Sequence, residues 1–370
     1  MRVGCVTEMQ NNEFRVGISP ADVKQYVNAG HEVQIQSGAG FKSGFSDEDY
    51  IEQGAKILDS AREVWENSDF IVKVKEPLQP EYEFLREGLI LFTYLHLAAH
   101  EELTLLLRDR KVTSFAYETV TDDFNHLPLL TPMSQIAGRL SVFTGAQALE
   151  ATRGGLGILL PGVPGVRPAN VLILGGGVVG ANAAAVANGI GANVTLMDVN
   201  LKRLSELDNQ FGHQVSTLFS DEKTLDEQLP LADLVISTVL IPGAKAPKLV
   251  KKHHLSEMKR GAVIVDVAID QGGSTEVSRP TTHDDPTYTV DGVVLYCVSN
   301  MPGAVPVTST KSLTNATIRY GLAIAKDGAK SVLTDRGLRM GLNTYAGHVT
   351  NAGVASAWNL DYVDPLTLIN

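Results

Sequence analysis

LILGGGVVGANAAAVANGIGANVTLMD, Leu172–Asp198, is the stretch on which the fold turns. It opens on an apolar run of strand character. Gly175, Gly177 and Gly180 follow as G-x-G-x-x-G, and VVGANAAAVANGIG then reads as a helix of small residues. NVTLMD reads as the next strand, closed by Asp198. In this context Gly175 permits the tight turn, and Gly177 lets the backbone approach a pyrophosphate at the helix N-terminus. Gly180 allows close helix–strand contact. Asp198 lies 23 residues after Gly175, where a carboxylate binds the adenosine ribose hydroxyls and repels a 2′-phosphate. That favours NAD over NADP. Arg203, five residues on, weighs the other way, because a nearby arginine can accept the phosphate. The glycine pattern is weak alone; its strand–turn–helix–strand setting carries it.

Val171 to Met197 carries no charge, and its 27 residues would span a bilayer. Asn182, Asn188, Asn193 and the glycines favour the strand–turn–helix–strand reading instead.

Outward from this segment, short apolar runs alternate with helical patterns. MRVGCV, EVQIQ, FIVKVK, LILFTYL and TSFAYE precede it; LVISTV, AVIVDVA and LYCVS follow. Nearly continuous apolar runs are expected of strands buried on both faces by crossover helices. The class expected is α/β, with two Rossmann-like doubly wound domains and a cleft between them. The 370 residues exceed one ordinary core. GGLGILLPGVPGVRP, 154–168, reads as a loop, preceded by a helix from about Ser134, its N-cap, to Thr152. NMPGAVPVTST, 300–310, is a second break before a helical tail. The expected division is discontinuous: 1–130 plus 303–370 as the substrate domain, and 131–302 as the nucleotide domain.

Composition narrows the partners. The chain is 44% hydrophobic and 20% charged, as in soluble globular proteins, with a formal net charge of -11. That charge disfavours a grip on nucleic acid or on an anionic membrane. Cys5 and Cys297 each stand alone in apolar runs and read as small buried hydrophobes. The N-terminus shows no signal-peptide apolar core, so a cytoplasmic location is expected. No metal site is expected, and His283-Asp284-Asp285 reads as a solvated loop.

In open α/β sheets ligands lie beyond the carboxyl ends of strands. Four charged residues stand where apolar runs end: Arg15 in NNEFRVGISP, Lys75 closing FIVKVK, His96 closing LILFTYLH, and Asp270 after AVIVDVA. Each has a plain alternative. Lys73 is an equal candidate to Lys75 by spacing. A histidine in an apolar strand is more often a satisfied core residue. Asp270 could be a helix N-cap, and Arg15 a surface ion-pair partner of Glu13.

The same segments resemble the alanine dehydrogenase family. RVG-x-x-TE-x-x-NNE-x-RV, VKVKEP (72–77), FTYLHLA (92–98) and PMS-x-IAGRL (132–140) carry the likeness. So do PGAKAPKLV (242–250), VDVAIDQGG (265–273), SRPTTHDDPT (278–287) and NMPGAVP (300–306). The NAD-binding component of proton-translocating transhydrogenase is a related group. The resemblance implies NAD-dependent interconversion of L-alanine with pyruvate and ammonium. It assigns Arg15 to the substrate carboxylate and Lys75 to the substrate carbonyl or carboxylate. His96 becomes the general acid/base, and Asp270 the group that orients and activates water. It places Ser134 and Val178 at the phosphates and Asp198 on the ribose, with Arg203 and Ser220 nearby. Val239, Leu240, Val267, Ala268, Ile269, Asp270, Arg279, Val298, Ser299, Asn300 and Met301 would line the rest of the cofactor site. A homohexamer is implied as well.

Overall fold

A computed structural model describes residues 1–239 and 246–369 of the chain. In chain order its strands are β1 (Arg2–Cys5), β2 (Glu32–Gln36), β3 (Lys56–Leu58), β4 (Phe70–Val72), β5 (Ile90–Thr93) and β6 (Thr113–Ala116). Then come β7 (Asn170–Leu174), β8 (Asn193–Asp198), β9 (Val215–Phe219), β10 (Leu234–Ser237) and β11 (Val263–Asp266). β12 (Thr287–Val290), β13 (Val293–Tyr296), β14 (Leu342–Tyr345) and β15 (His348–Val349) complete the set. The chain forms two compact units: Met1–Met133 with Gly303–Asn370, and Ser134–Pro302.

The second unit holds one sheet in the order β12-β13-β11-β10-β7-β8-β9. From β9 to β13 every pairing is parallel; β12 alone is antiparallel, on the edge. Reading outward from β7 gives the doubly wound nucleotide-fold order, with its topological switch between β7 and β10. Strand alternation loads both faces. Val171 and Ile173 pack with Ala183, Ala184, Ala187, Leu204 and Leu207 from the helices Val178–Gly189 and Leu201–Phe211. Leu172 and Leu174 pack on the other face with Leu225, Leu229, Leu255 and Met258. Small residues along Val178–Gly189 let that helix lie close; a Cβ on Gly180 would stand 1.8 Å from the Gly175 carbonyl oxygen.

The first unit repeats the plan. Its sheet runs β15-β14-β6-β5-β4-β1-β2-β3, parallel from β3 through β6. Here the switch falls between β1 and β4. The run FIVKVK contributes only Phe70–Val72 as regular strand, but pairing continues past it: Lys73 N donates to Phe92 O at 3.1 Å.

Two expectations need correction. The helix expected from Ser134 to Thr152 spans Thr131–Ala148. Pro132 falls in its first turn, where a missing N–H costs nothing, so the helix starts earlier and Ser134 is not its cap. The tail is not purely helical: after the helix Pro306–Asp327 it forms β14 and β15, and β14 adds antiparallel to β6.

Candidate functional site

In the second unit the turns beyond the carboxyl ends of the parallel strands carry most of the residues expected at a cofactor. After β7, Gly175 sits at φ +100, a conformation glycine adopts freely. A Cβ on Gly177 would meet nothing within 4 Å, so the backbone there is open to approach. Gly177 also precedes the helix Val178–Gly189 with no side-chain cap, leaving its first-turn N–H groups without that partner. After β8, the Asp198 carboxylate accepts from Gly176 N at 2.6 Å and Asn200 N at 2.8 Å. Arg203 Nε donates to Gly176 O at 2.7 Å, and its Nη1 to Glu206 at 3.0 Å. Asp198 and Arg203 therefore brace the glycine turn from both sides.

Ser220 follows β9, with its N–H on Asp198 O at 3.0 Å, and half-buried Val239 follows β10. Val267, Ala268, Ile269 and Asp270 form the single turn after β11, with Asp270 exposed. Val298, Ser299, Asn300 and Met301 follow β13, and Asn300 has φ +58. Ser134 and Arg279 lie away from strand ends. Ser134 is half-buried in the helix Thr131–Ala148, and Arg279 is exposed with its guanidinium 4.0 Å from the Tyr288 ring centre. Leu240 lies outside the described residues. An open backbone at Gly177, an uncapped helix start and a carboxylate at the β8 end fit a dinucleotide.

In the first unit Arg15, Lys75 and His96 follow β1, β4 and β5. Arg15 is buried, with Nε on Glu13 Oε1 at 2.7 Å and Nη1 on Met133 Sδ at 3.0 Å. Its ion pair with Glu13 is thus a buried bidentate one, not the surface pair that adjacency suggested. Lys73 and Lys75 part company. Lys73 is fully buried, 2.7 Å from Glu81 and 3.1 Å from Glu8. Burial works against its charge, but the two carboxylates outweigh it and raise its pKa. Lys75 is half-buried, and among the described residues no hydrogen bond or ion pair holds its ammonium. Its carbonyl accepts from Thr93 Oγ1 at 2.9 Å, which fixes the backbone.

His96 is no core histidine: its side chain is 42% exposed. Its backbone is left-handed, φ 49, ψ 35, which is uncommon outside glycine. Glu118, after β6, supports that turn by accepting from Leu95 N at 3.2 Å and His96 N at 2.6 Å. The ring lies against Tyr94, centroids 6.0 Å apart. Nδ1 faces Glu76 Oε2 at 3.4 Å, an ion-pair distance outside good hydrogen-bond geometry, and among the described residues that buried oxygen has no hydrogen-bond partner. Burial would raise the Glu76 pKa, but His96 and Lys75 outweigh it and bring it down to about 2. For His96, burial opposes the charge, and Glu76 and Glu118 outweigh it, raising the pKa.

Sequence reasoning did not single out Glu76 or Glu118. Glu76 stands next to Lys75 in VKVKEP with nothing local to mark it, and Glu118 gives no signal, because its partners lie 22 and 23 residues away. One further cluster exists among the described residues, Asp226, His253 and His254. His254 uses both ring nitrogens: Nδ1 accepts from Lys251 N at 3.0 Å as a helix cap, and Nε2 lies 2.8 Å from Asp226 Oδ1, where it donates.

The second unit defines the class: a protein with a Rossmann-type dinucleotide crest, here on a chain with a second unit of the same winding bearing an exposed histidine and a half-buried lysine. Residues 4–137 match the model of the alanine dehydrogenase/PNT N-terminal domain, and residues 141–352 that of the C-terminal domain. The chain therefore belongs to the alanine dehydrogenase/PNT family, whose members use a nicotinamide nucleotide. It is 53% identical over 372 residues to an alanine dehydrogenase of Methanococcus maripaludis, covering 100% of both chains. A solved L-alanine dehydrogenase superposes with a TM-score of 0.94 at 49% identity, over 97% of this chain and 99% of that one. A transhydrogenase from Sinorhizobium meliloti gives 0.82 at 25% identity, over 95% and 99%.

Proposed function

We propose that this protein catalyses L-alanine + NAD + water ⇌ pyruvate + ammonium + NADH + H⁺. The observation that carries the reading is the full-length likeness to alanine dehydrogenases, at 53% identity. When bound, the nicotinamide supplies the hydride acceptor for the substrate Cα, and donates hydride in reverse. What supports NAD rather than NADP is Asp198, whose carboxylate stands at the β8 end beside the glycine turn. Gly175, Gly177, Val178 and Gly180 would cradle the pyrophosphate, with Ser134 at the phosphates and the β9 to β13 turns along the rest.

The remaining chemistry belongs to side chains. Arg15, whose plane Glu13 fixes, would hold the substrate carboxylate. Lys75, whose ammonium no described residue claims, would polarise the carbonyl or hold the carboxylate. His96 would move the proton at the substrate oxygen, a role suited to a histidine whose charged form Glu76 stabilises. Asp270 would orient and activate the water that adds to the imine carbon. Ammonia then leaves the carbinolamine, giving pyruvate. On the same reading the enzyme is a cytoplasmic homohexamer; among the described residues no helix is long and apolar enough to cross a membrane.

The test is absorbance in the NADH band with purified protein, NAD and L-alanine at alkaline pH. D-alanine, L-serine, L-glutamate, L-lysine and NADP serve as controls. A signal with L-alanine and NAD alone is expected. NADH binding without deamination of any amino acid would replace this reading with a transhydrogenase-like one.

A further inference from the structure

The turn that presents Asp270 is gripped by charged side chains that the proposed reaction does not use. From within, Asp266 at the end of β11 is buried, 1% exposed. Its carboxylate accepts from Ala268 N at 3.2 Å, Ser274 N at 2.7 Å and Ser278 Oγ at 2.5 Å, spanning the turn from base to exit. Ser278 Oγ also meets Thr275 Oγ1 at 2.6 Å.

From outside, Lys248 Nζ donates to Gly272 O at 2.6 Å and Gly273 O at 2.8 Å, and Ala246 N to Gln271 O at 3.0 Å. A cation on the last carbonyls of a helical turn is electrostatically favourable, and charge-assisted bonds are the strong ones. Gly273 closes the turn at φ +74; a Cβ there would stand 2.5 Å from Ser278 Cβ and 2.9 Å from Asp266 Oδ2. Asp270 itself is exposed. Two sequence motifs, PGAKAPKLV through Lys248 and SRPTTHDDPT through Ser278, thus each send a side chain into this grip.

We propose that Lys248, Asp266 and Ser278 are positioning residues that hold the Asp270 turn in its working geometry, Lys248 from its exit carbonyls and Ser278 through Asp266. The proposal rests on the role given to Asp270 above. Reactive groups need placement within about 0.5 Å, and a displacement of about 1 Å can cost on the order of a hundredfold in rate.

The experiment is a double-mutant cycle in the full-length protein, following reductive amination of pyruvate. Lys248 is exposed, so Lys248→Met removes the ammonium without opening the core. It should lower kcat roughly tenfold with little change in the pyruvate KM and an unchanged thermal midpoint. Lys248→Arg, which can still donate to two carbonyls, should restore most of the rate. In an Asp270→Asn background, Lys248→Met should cause no further loss. Should Lys248→Met depress the folded yield, Ser278→Ala provides the same cycle through Asp266. Wild-type turnover in both variants alongside an inactive Asp270→Asn would overturn the positioning role alone. So would losses that multiply in the double variant. Full activity in Asp270→Asn would instead overturn the reading of Asp270.

Discussion

His96 occupies a backbone region that costs a non-glycine residue on the order of 1–3 kcal/mol, and Glu118 holds it there through two N–H groups. His96→Ala should reduce turnover roughly a hundredfold or more while NADH binding, followed by fluorescence, stays near wild type. Glu76→Gln probes the same side chain electrostatically. On the proposed mechanism His96 is the proton donor in reductive amination, so the rate should fall as pH rises through its pKa. Glu76 raises that pKa, hence Glu76→Gln should move the falling limb of the pH–rate profile to lower pH. An unmoved limb would detach Glu76 from His96. The two lysines make the sharpest contrast. Lys73→Met leaves Glu8 and Glu81 buried and uncompensated, a loss of about 3–5 kcal/mol readable by urea titration. Lys75→Met should leave stability near wild type and raise the pyruvate KM. Spacing could not separate these lysines, because both follow one strand; the distinction is burial, which depends on carboxylates elsewhere in the chain.

At the scale of elements, the glycine turn and its flanking strands follow from local patterning, and the structure builds them as β7, helix and β8. Gly180→Ala forces a Cβ against the Gly175 carbonyl and should weaken NADH binding more than tenfold by displacing the helix start, measured by fluorescence titration. Asp198→Gly should raise the NADP-to-NAD ratio of kcat/KM, since the repelling carboxylate is gone. It also removes the acceptor for Gly176 N, so NAD affinity should fall with it. The helix Thr131–Ala148 starts before Ser134, because Pro132 fits its first turn and Ser134, though a cap by residue type, falls inside it. Strands β14 and β15 gave no pattern strong enough to oppose a helical tail. They are short, and what stabilises β14 is pairing with β6, some 230 residues away: Ser114 Oγ lies 2.7 Å from Thr344 Oγ1.

For the whole molecule, a cofactor that binds only the folded chain must stabilise it, by about 2.7 kcal/mol at a hundred times its Kd. The thermal midpoint should rise with NADH and less with NADPH at equal concentration; equal shifts would count against the Asp198 argument. The amino-acid sequence by itself determined the α/β class, the glycine turn and the set of charged residues at strand ends. These follow from periodicity and turn chemistry, which act between near neighbours. Only the tertiary structure decided that both sheets share one winding order and that Lys73, not Lys75, is locked in carboxylates. It alone put Glu76 and Glu118 around His96 and closed Asp266, Ser278 and Lys248 on the Asp270 turn. Those partners meet because parallel strands distant in sequence end side by side, so their carboxyl-end turns share one edge of a sheet. Electrostatics there depends on distance and burial, which no local pattern records.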